Sequence, residues 1–129
     1  MKLYPLAFLA SLAVAAAGAQ AQPAPQTINV SLTNYAFSPS TITLKAGTTY
    51  RLHLSDDAGK GHDFSAPEFF AASAVAPEDQ AKVKDGGVDL DGGESADITV
   101  TPQKPGTYRL TCTHFMHSMM GMTGQIVVQ

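Results

Sequence analysis

The chain of 129 residues contains no tryptophan and only one cysteine, Cys112, so no disulfide can form within it. Basic residues are scarce. Eight Lys and Arg stand against eleven Asp and Glu, a net charge of −3 with histidine neutral. That balance leaves no large basic face and excludes nucleic acid as a partner. Charge of either sign is low at 15%, against 44% hydrophobic residues, so the chain has the means to build a core and does not read as disordered. No apolar run reaches the roughly 20 residues that a membrane-spanning helix needs. Turn formers, in contrast, are plentiful: 11 Gly and 8 Pro suggest a small all-β domain with many short elements. The length allows one domain and little more.

The N-terminus has a composition of its own. Lys2 supplies a positive start, residues 3–17 are apolar, and small-residue cleavage patterns follow at Ala17-Gly18-Ala19 and Ala19-Gln20-Ala21. These features predict a signal peptide over residues 1–21, cut after Ala21, and hence a periplasmic or secreted protein. An uncleaved anchor is the alternative, and the apolar run is short for one. Residues 22–129 would then form the mature domain, with no membrane span. Export bears on Cys112, because a lone thiol in an oxidising compartment must be buried, paired between chains or used.

Period-2 alternation marks the strands. Ile28, Val30 and Leu32 share one face of the first, and Ile42 with Leu44 resume the pattern after a break at residues 34–39. Tyr50, Leu52 and Leu54 line one side of another strand, leaving Arg51 and His53 on the opposite side. Ser65 and Glu68 stand in capping-box spacing around Pro67, which predicts a short helical insertion around residues 66–76, closed by Pro77. Asp85-Gly86-Gly87 and Asp91-Gly92-Gly93 read as turns. Alternation returns at Ala96, Ile98 and Val100, then at Tyr108, Leu110 and Cys112, and the chain ends in Ile126-Val127-Val128. Short strands with turn signals between them predict an all-β sandwich.

The chemistry concentrates near the C-terminus. Residues 112–122 contain the only thiol, two imidazoles (His114 and His117) and four of the five methionines. Upstream, Gly61-His62 places another histidine at the end of a loop. Thiolate, imidazole and thioether are soft or borderline donors that favour copper, and two histidines with one cysteine and a weak axial methionine make the blue-copper ligand set. His62, Cys112, His117 and Met122 supply that set. His114, so close to Cys112, reads as a surface or neighbouring residue, and Met116, Met119 and Met120 read as packing residues.

Several segments together resemble the cupredoxins, the family of plastocyanin, azurin and rusticyanin. They are Phe37-Ser38-Pro39 with Ile42 to Thr48, Gly61-His62, Pro105-Gly106-Thr107-Tyr108 leading into Cys112, and Gly121 to Val128. The Cys-x4-His-x4-Met spacing is similar to that of rusticyanin. The resemblance implies a Greek-key β-sandwich holding one copper ion, and an apolar patch of Phe115, Met116, Met119 and Met120 around His117 where a partner docks. It departs at Asp63, where the family usually has an asparagine that helps hold the cysteine loop; an ionised carboxylate cannot donate a hydrogen bond to a thiolate. The expected function is a monomeric one-electron carrier serving a redox partner protein, and not an enzyme. The alternative is copper storage, delivery or tolerance, with a copper-trafficking partner, motivated by the surplus of His and Met in the loop.

Overall fold

The computed structural model describes residues 13, 15–18 and 23–129. The expected cleavage after Ala21 and most of the apolar run lie outside the described residues. No helix among the described residues is long and apolar enough to cross a membrane.

The alternating segments form strands, and each buries the face its sequence marks as apolar. In chain order they are β1 (Gln26–Thr33), β2 (Ala36–Ser38), β3 (Thr41–Leu44), β4 (Tyr50–Asp56), β5 (His62–Ser65), β6 (Ser73–Val75), β7 (Gly87–Leu90), β8 (Ser95–Pro102), β9 (Gly106–Thr111) and β10 (Thr123–Val128). They make two sheets, ordered β2-β1-β4-β8-β6 and β3-β10-β9-β5-β7. Both are mixed: β1 runs parallel to β4 and β10 parallel to β3, while the other pairs are antiparallel. Val30, Leu32, Leu52, Leu54, Ile98 and Val100 from the first sheet meet Ile42, Leu44, Phe64, Leu110, Ile126 and Val128 from the second in one core. Full burial of each such side chain contributes about 1.5–3 kcal/mol. This is the expected β-sandwich.

The helical insertion is shorter than its sequence suggests. Only Pro67–Ala71 is α-helical (α1), and a 3-10 helix occupies Pro77–Lys82. Between them residues 73–75 form β6, whose backbone pairs with β8. The helix is capped at Ala66, not Ser65, and no side chain caps it. Tertiary pairing along β8 has overridden local helix propensity. Pro77 does not close a helix but begins one, a position where its missing N–H has no cost. The break at residues 34–39 contains a further strand, β2, folded back as a hairpin onto β1. Phe69 and Phe70 are buried as expected, against Tyr108 and Phe64 respectively.

Candidate metal centre

Three elements bring their chemistry to one end of the sandwich. His62 opens β5 and is wholly buried; Cys112 directly follows β9 and is equally enclosed. His117 lies half-buried in the loop between β9 and β10. Alternation along β9 dictates that Leu110 and Cys112 face inward together. The loop is then wound as successive turns: the His117 N–H donates to the His114 carbonyl at 3.0 Å, Gly121 to Ser118 at 3.1 Å, and Met122 to His117 at 3.1 Å. Met116 and Gly121 take positive φ angles of 63° and 93°, the left-handed conformation needed for so tight a path. The Cys112 N–H donates to the Met122 carbonyl at 3.2 Å, closing the loop at its base.

His62 Nδ1 and His117 Nδ1 are 3.1 Å apart, and Cys112 Sγ lies 3.4 Å from His117 Nδ1 and 3.9 Å from His62 Nδ1. A point equidistant from three atoms so placed is about 2.0 Å from each, close to metal–imidazole bond lengths and a little under those for thiolate. Of the expected site residues, His62, Cys112 and His117 are therefore brought together. Met122 is fully buried and is tied to both Cys112 and His117 through its backbone. Two borderline nitrogens and a soft sulfur, with a thioether beside them in the chain, fit one copper ion.

The surroundings set the protonation states. Burial lowers the His62 pKa below its ordinary value, helped by repulsion from His117 and His114 and opposed by Asp56 and Asp63. The ring is thus favoured in the neutral form that a metal requires. Burial pushes the Cys112 thiol up; the backbone N–H groups of Asp63 and His114 oppose this, and the Asp63 carboxylate adds to it. A thiolate there calls for a compensating cation.

Two supports of this site bear differently on the sequence reading. Asn34, between β1 and β2, places its side-chain oxygen 2.8 Å from His62 Nε2. Its neighbour Tyr35 sets its ring edge-on to both imidazoles, with centroids 4.9 Å from His117 and 6.4 Å from His62. Nothing in the sequence of this turn marks either residue, since both are brought to the site only by the hairpin. Asp63 was the departure from the family pattern, and its carboxylate points to Thr113: one oxygen accepts the Thr113 N–H at 2.6 Å and the other its hydroxyl. It ties β5 to the cysteine loop as an acceptor, so it need not donate to sulfur.

The loop methionines depart from the packing reading and match the exposed apolar patch that the family resemblance implies. Met116, Met119 and Met120 do not pack inward; they stand 48%, 79% and 57% exposed, beside Phe115 at 88%. Within this loop Met122 is buried and His117 half-buried. His114 stands outside the trio, with Nε2 2.9 Å from Asp89 Oδ1. His53 is on the opposite face, as expected, and pairs with Asp97 at 2.7 Å.

A family model, the cupredoxin-like domain, matches residues 5–128. The chain belongs to the cupredoxin-like family. Among solved structures, auracyanin B is 24% identical over 84% of this chain and 93% of that one, with a TM-score of 0.62. A dithionite-reduced auracyanin from Roseiflexus castenholzii is 22% identical over 83% and 99%, with a TM-score of 0.62. Auracyanin A from Chloroflexus aurantiacus, described as a "blue" copper protein, is 19% identical over 82% and 100%, at 0.60. A search of curated proteins gives no match. At these identities the likeness establishes the cupredoxin fold, and what this cupredoxin does must come from its own residues.

Proposed function

We propose that this cupredoxin is an exported, monomeric carrier of single electrons, with one copper ion held by His62, Cys112 and His117 and, more weakly, by Met122. The carrying observation is the convergence of Sγ and the two Nδ1 atoms in a buried pocket. Bound copper would accept and release one electron between its two oxidation states. The chain's part is to keep the donors in one arrangement for both states. His62 is clamped by Asn34, the Cys112 end of β9 by Asp63, and His117 and Met122 by the backbone bonds of one loop. Cys112 gives up its proton when the metal enters.

His117 is the most exposed of the three trio members, and the apolar side chains of Phe115, Met116, Met119 and Met120 stand in its loop. This is where a redox partner protein would dock. The description of auracyanin A as a "blue" copper protein supports the reading, as does the dithionite-reduced form of its relative. Export rests on the sequence of residues 1–21. The domain is not an enzyme on this reading: the trio's donors are enclosed within a small sandwich.

The test is to add one equivalent of copper(II) to metal-free protein and record the visible spectrum. An intense thiolate-to-copper band at one copper per chain is expected, and Cys112→Ser should abolish it. A band unchanged by that substitution would overturn the assignment. Met122→Leu should keep the copper and raise its potential.

The exposure of Met116, Met119 and Met120 favours a second reading, in which the protein stores copper(I) or delivers it to a copper-trafficking partner. That reading predicts copper(I) removable by a mild chelator. Copper(I) that resists removal would exclude it.

A further inference from the structure

We infer that this chain carries a second cation site, for a divalent ion of the zinc class, formed by Asp63, Asp89 and His114 beside the copper centre. The antiparallel register of β5 and β7 sets Asp63 directly opposite Asp89. Directly opposed residues project from the same face of a sheet, and like charges in that relation are destabilising. The fold nevertheless holds both carboxylates there and brings an imidazole to them. One donor atom from each of the three side chains lies within 4.8 Å of the others, with His114 Nε2 2.9 Å from Asp89 Oδ1.

The arrangement is constrained on each side. Asp63 is fixed by its two bonds to Thr113. The His114 ring lies against the backbone of Gly61, where any side chain would bring its Cβ to 3.3 Å from Cε1. A side chain at position 61 would crowd the imidazole. Asp89 is open to solvent, so an ion can enter without a structural change. One imidazole and two carboxylates form a harder donor set than the trio of His62, Cys112 and His117. Such a set suits zinc and similar divalent ions, whereas thiolate and thioether select copper.

The position also implies coupling. Asp63 follows His62 directly and is bonded to Thr113, the neighbour of Cys112. The His114 ring is 5.5 Å from that of His117. A cation bound here would neutralise the Asp63 carboxylate, bonded to the neighbour of Cys112, and favour the reduced, less positive copper state, raising the midpoint potential. This coupling rests on the copper reading; the cation site does not.

Zinc(II), being spectroscopically silent, is the probe. Copper-loaded protein is dialysed against zinc(II), and bound metals and the visible band are measured together. The expected result is one zinc retained beside one copper, with the band preserved. The Asp89→Asn/His114→Gln double variant should keep its copper and band but lose the zinc. Equal zinc retention by wild type and double variant, no retention by either, or bleaching of the band as zinc displaces copper would each overturn the site. The same comparison in a Cys112→Ala background measures zinc binding without the thiolate, so the outcome there is independent of the copper reading. Zinc should raise the midpoint potential of wild type and not that of the double variant; equal shifts would overturn the coupling.

Discussion

The side-chain oxygen of Asn34 and Nε2 of His62 are 2.8 Å apart, and this contact determines which nitrogen of His62 faces the other donors. An amide oxygen only accepts, so Nε2 carries the hydrogen and Nδ1 is directed at Cys112 and His117. Partners of this kind orient an imidazole and raise its basicity, and their loss typically reduces metal affinity about 10–100-fold. Asn34→Ala should weaken copper binding by a factor in that range, while Asn34→Asp, which keeps an acceptor, should restore most of it. Competition against a copper(II) chelator measures both. Equal affinities for wild type and Asn34→Ala would show that packing alone holds the ring.

Asp63 combines a structural and an electrostatic effect that substitution can separate. Asp63→Asn keeps an oxygen for the Thr113 N–H and removes a negative charge that adds to the burial which raises the Cys112 thiol. The midpoint potential should rise, because less negative charge near the site favours reduced copper. Asp63→Ala removes the bridge as well, so copper affinity should also fall and the band broaden. Voltammetry of the two variants distinguishes these effects. A potential unchanged in Asp63→Asn would remove the electrostatic role.

The legible parts of the molecule are those with a local pattern. Alternation located β1, β4 and β8 because each has one buried face, and Cys112, His62, His117 and Met122 stood out through the chemistry of their side chains. The turn at Asn34-Tyr35 did not, because its role depends on a hairpin that brings it to His62 from 28 residues away. Residues 73–75 looked helical for a related reason. Their pairing partner, β8, lies far ahead in the chain, and short-range propensity cannot register it. Composition alone does not turn Met116, Met119 and Met120 outward; the family resemblance does, through the apolar patch it implies around His117.

Two glycines separate conformational from steric cost. Gly86 and Gly93 both have left-handed φ angles, 74° and 82°. At Gly93 an added Cβ would meet nothing within 4 Å, so Gly93→Ala should cost only the conformational penalty, about 1–2 kcal/mol. At Gly86 the same atom would fall within 2.7 Å of Pro67 Cβ and closer still to its backbone, at the turn before β7. Gly86→Ala should therefore cost about 2–5 kcal/mol in all, adding overpacking to the same backbone term. Urea denaturation of the two variants tests the difference, and equal losses would mean that α1 yields freely.

Acid sensitivity should concentrate at Asp79. Its carboxylate is only 5% exposed, accepts from Lys82 Nζ at 2.7 Å and accepts the Thr99 N–H of β8 at 2.8 Å. Burial alone would raise its pKa, but the hydrogen bonds from Lys82 and Thr99 and the Lys82 charge outweigh that and hold it below 3.8. A carboxylate with a depressed folded pKa contributes stability above its unfolded value, and the contribution is lost as pH falls through the folded one. Asp79→Ala leaves the Thr99 N–H without its acceptor and should cost about 1–3 kcal/mol at neutral pH. The gap between wild type and variant should stay constant down to about pH 5 and narrow below about pH 4, where the unfolded chain takes up its proton first. Urea midpoints measured across that range check the sign. A gap that widens on acidification would mean that Asp79 is protonated more readily in the folded state, and that burial outweighs its bonds to Lys82 and Thr99.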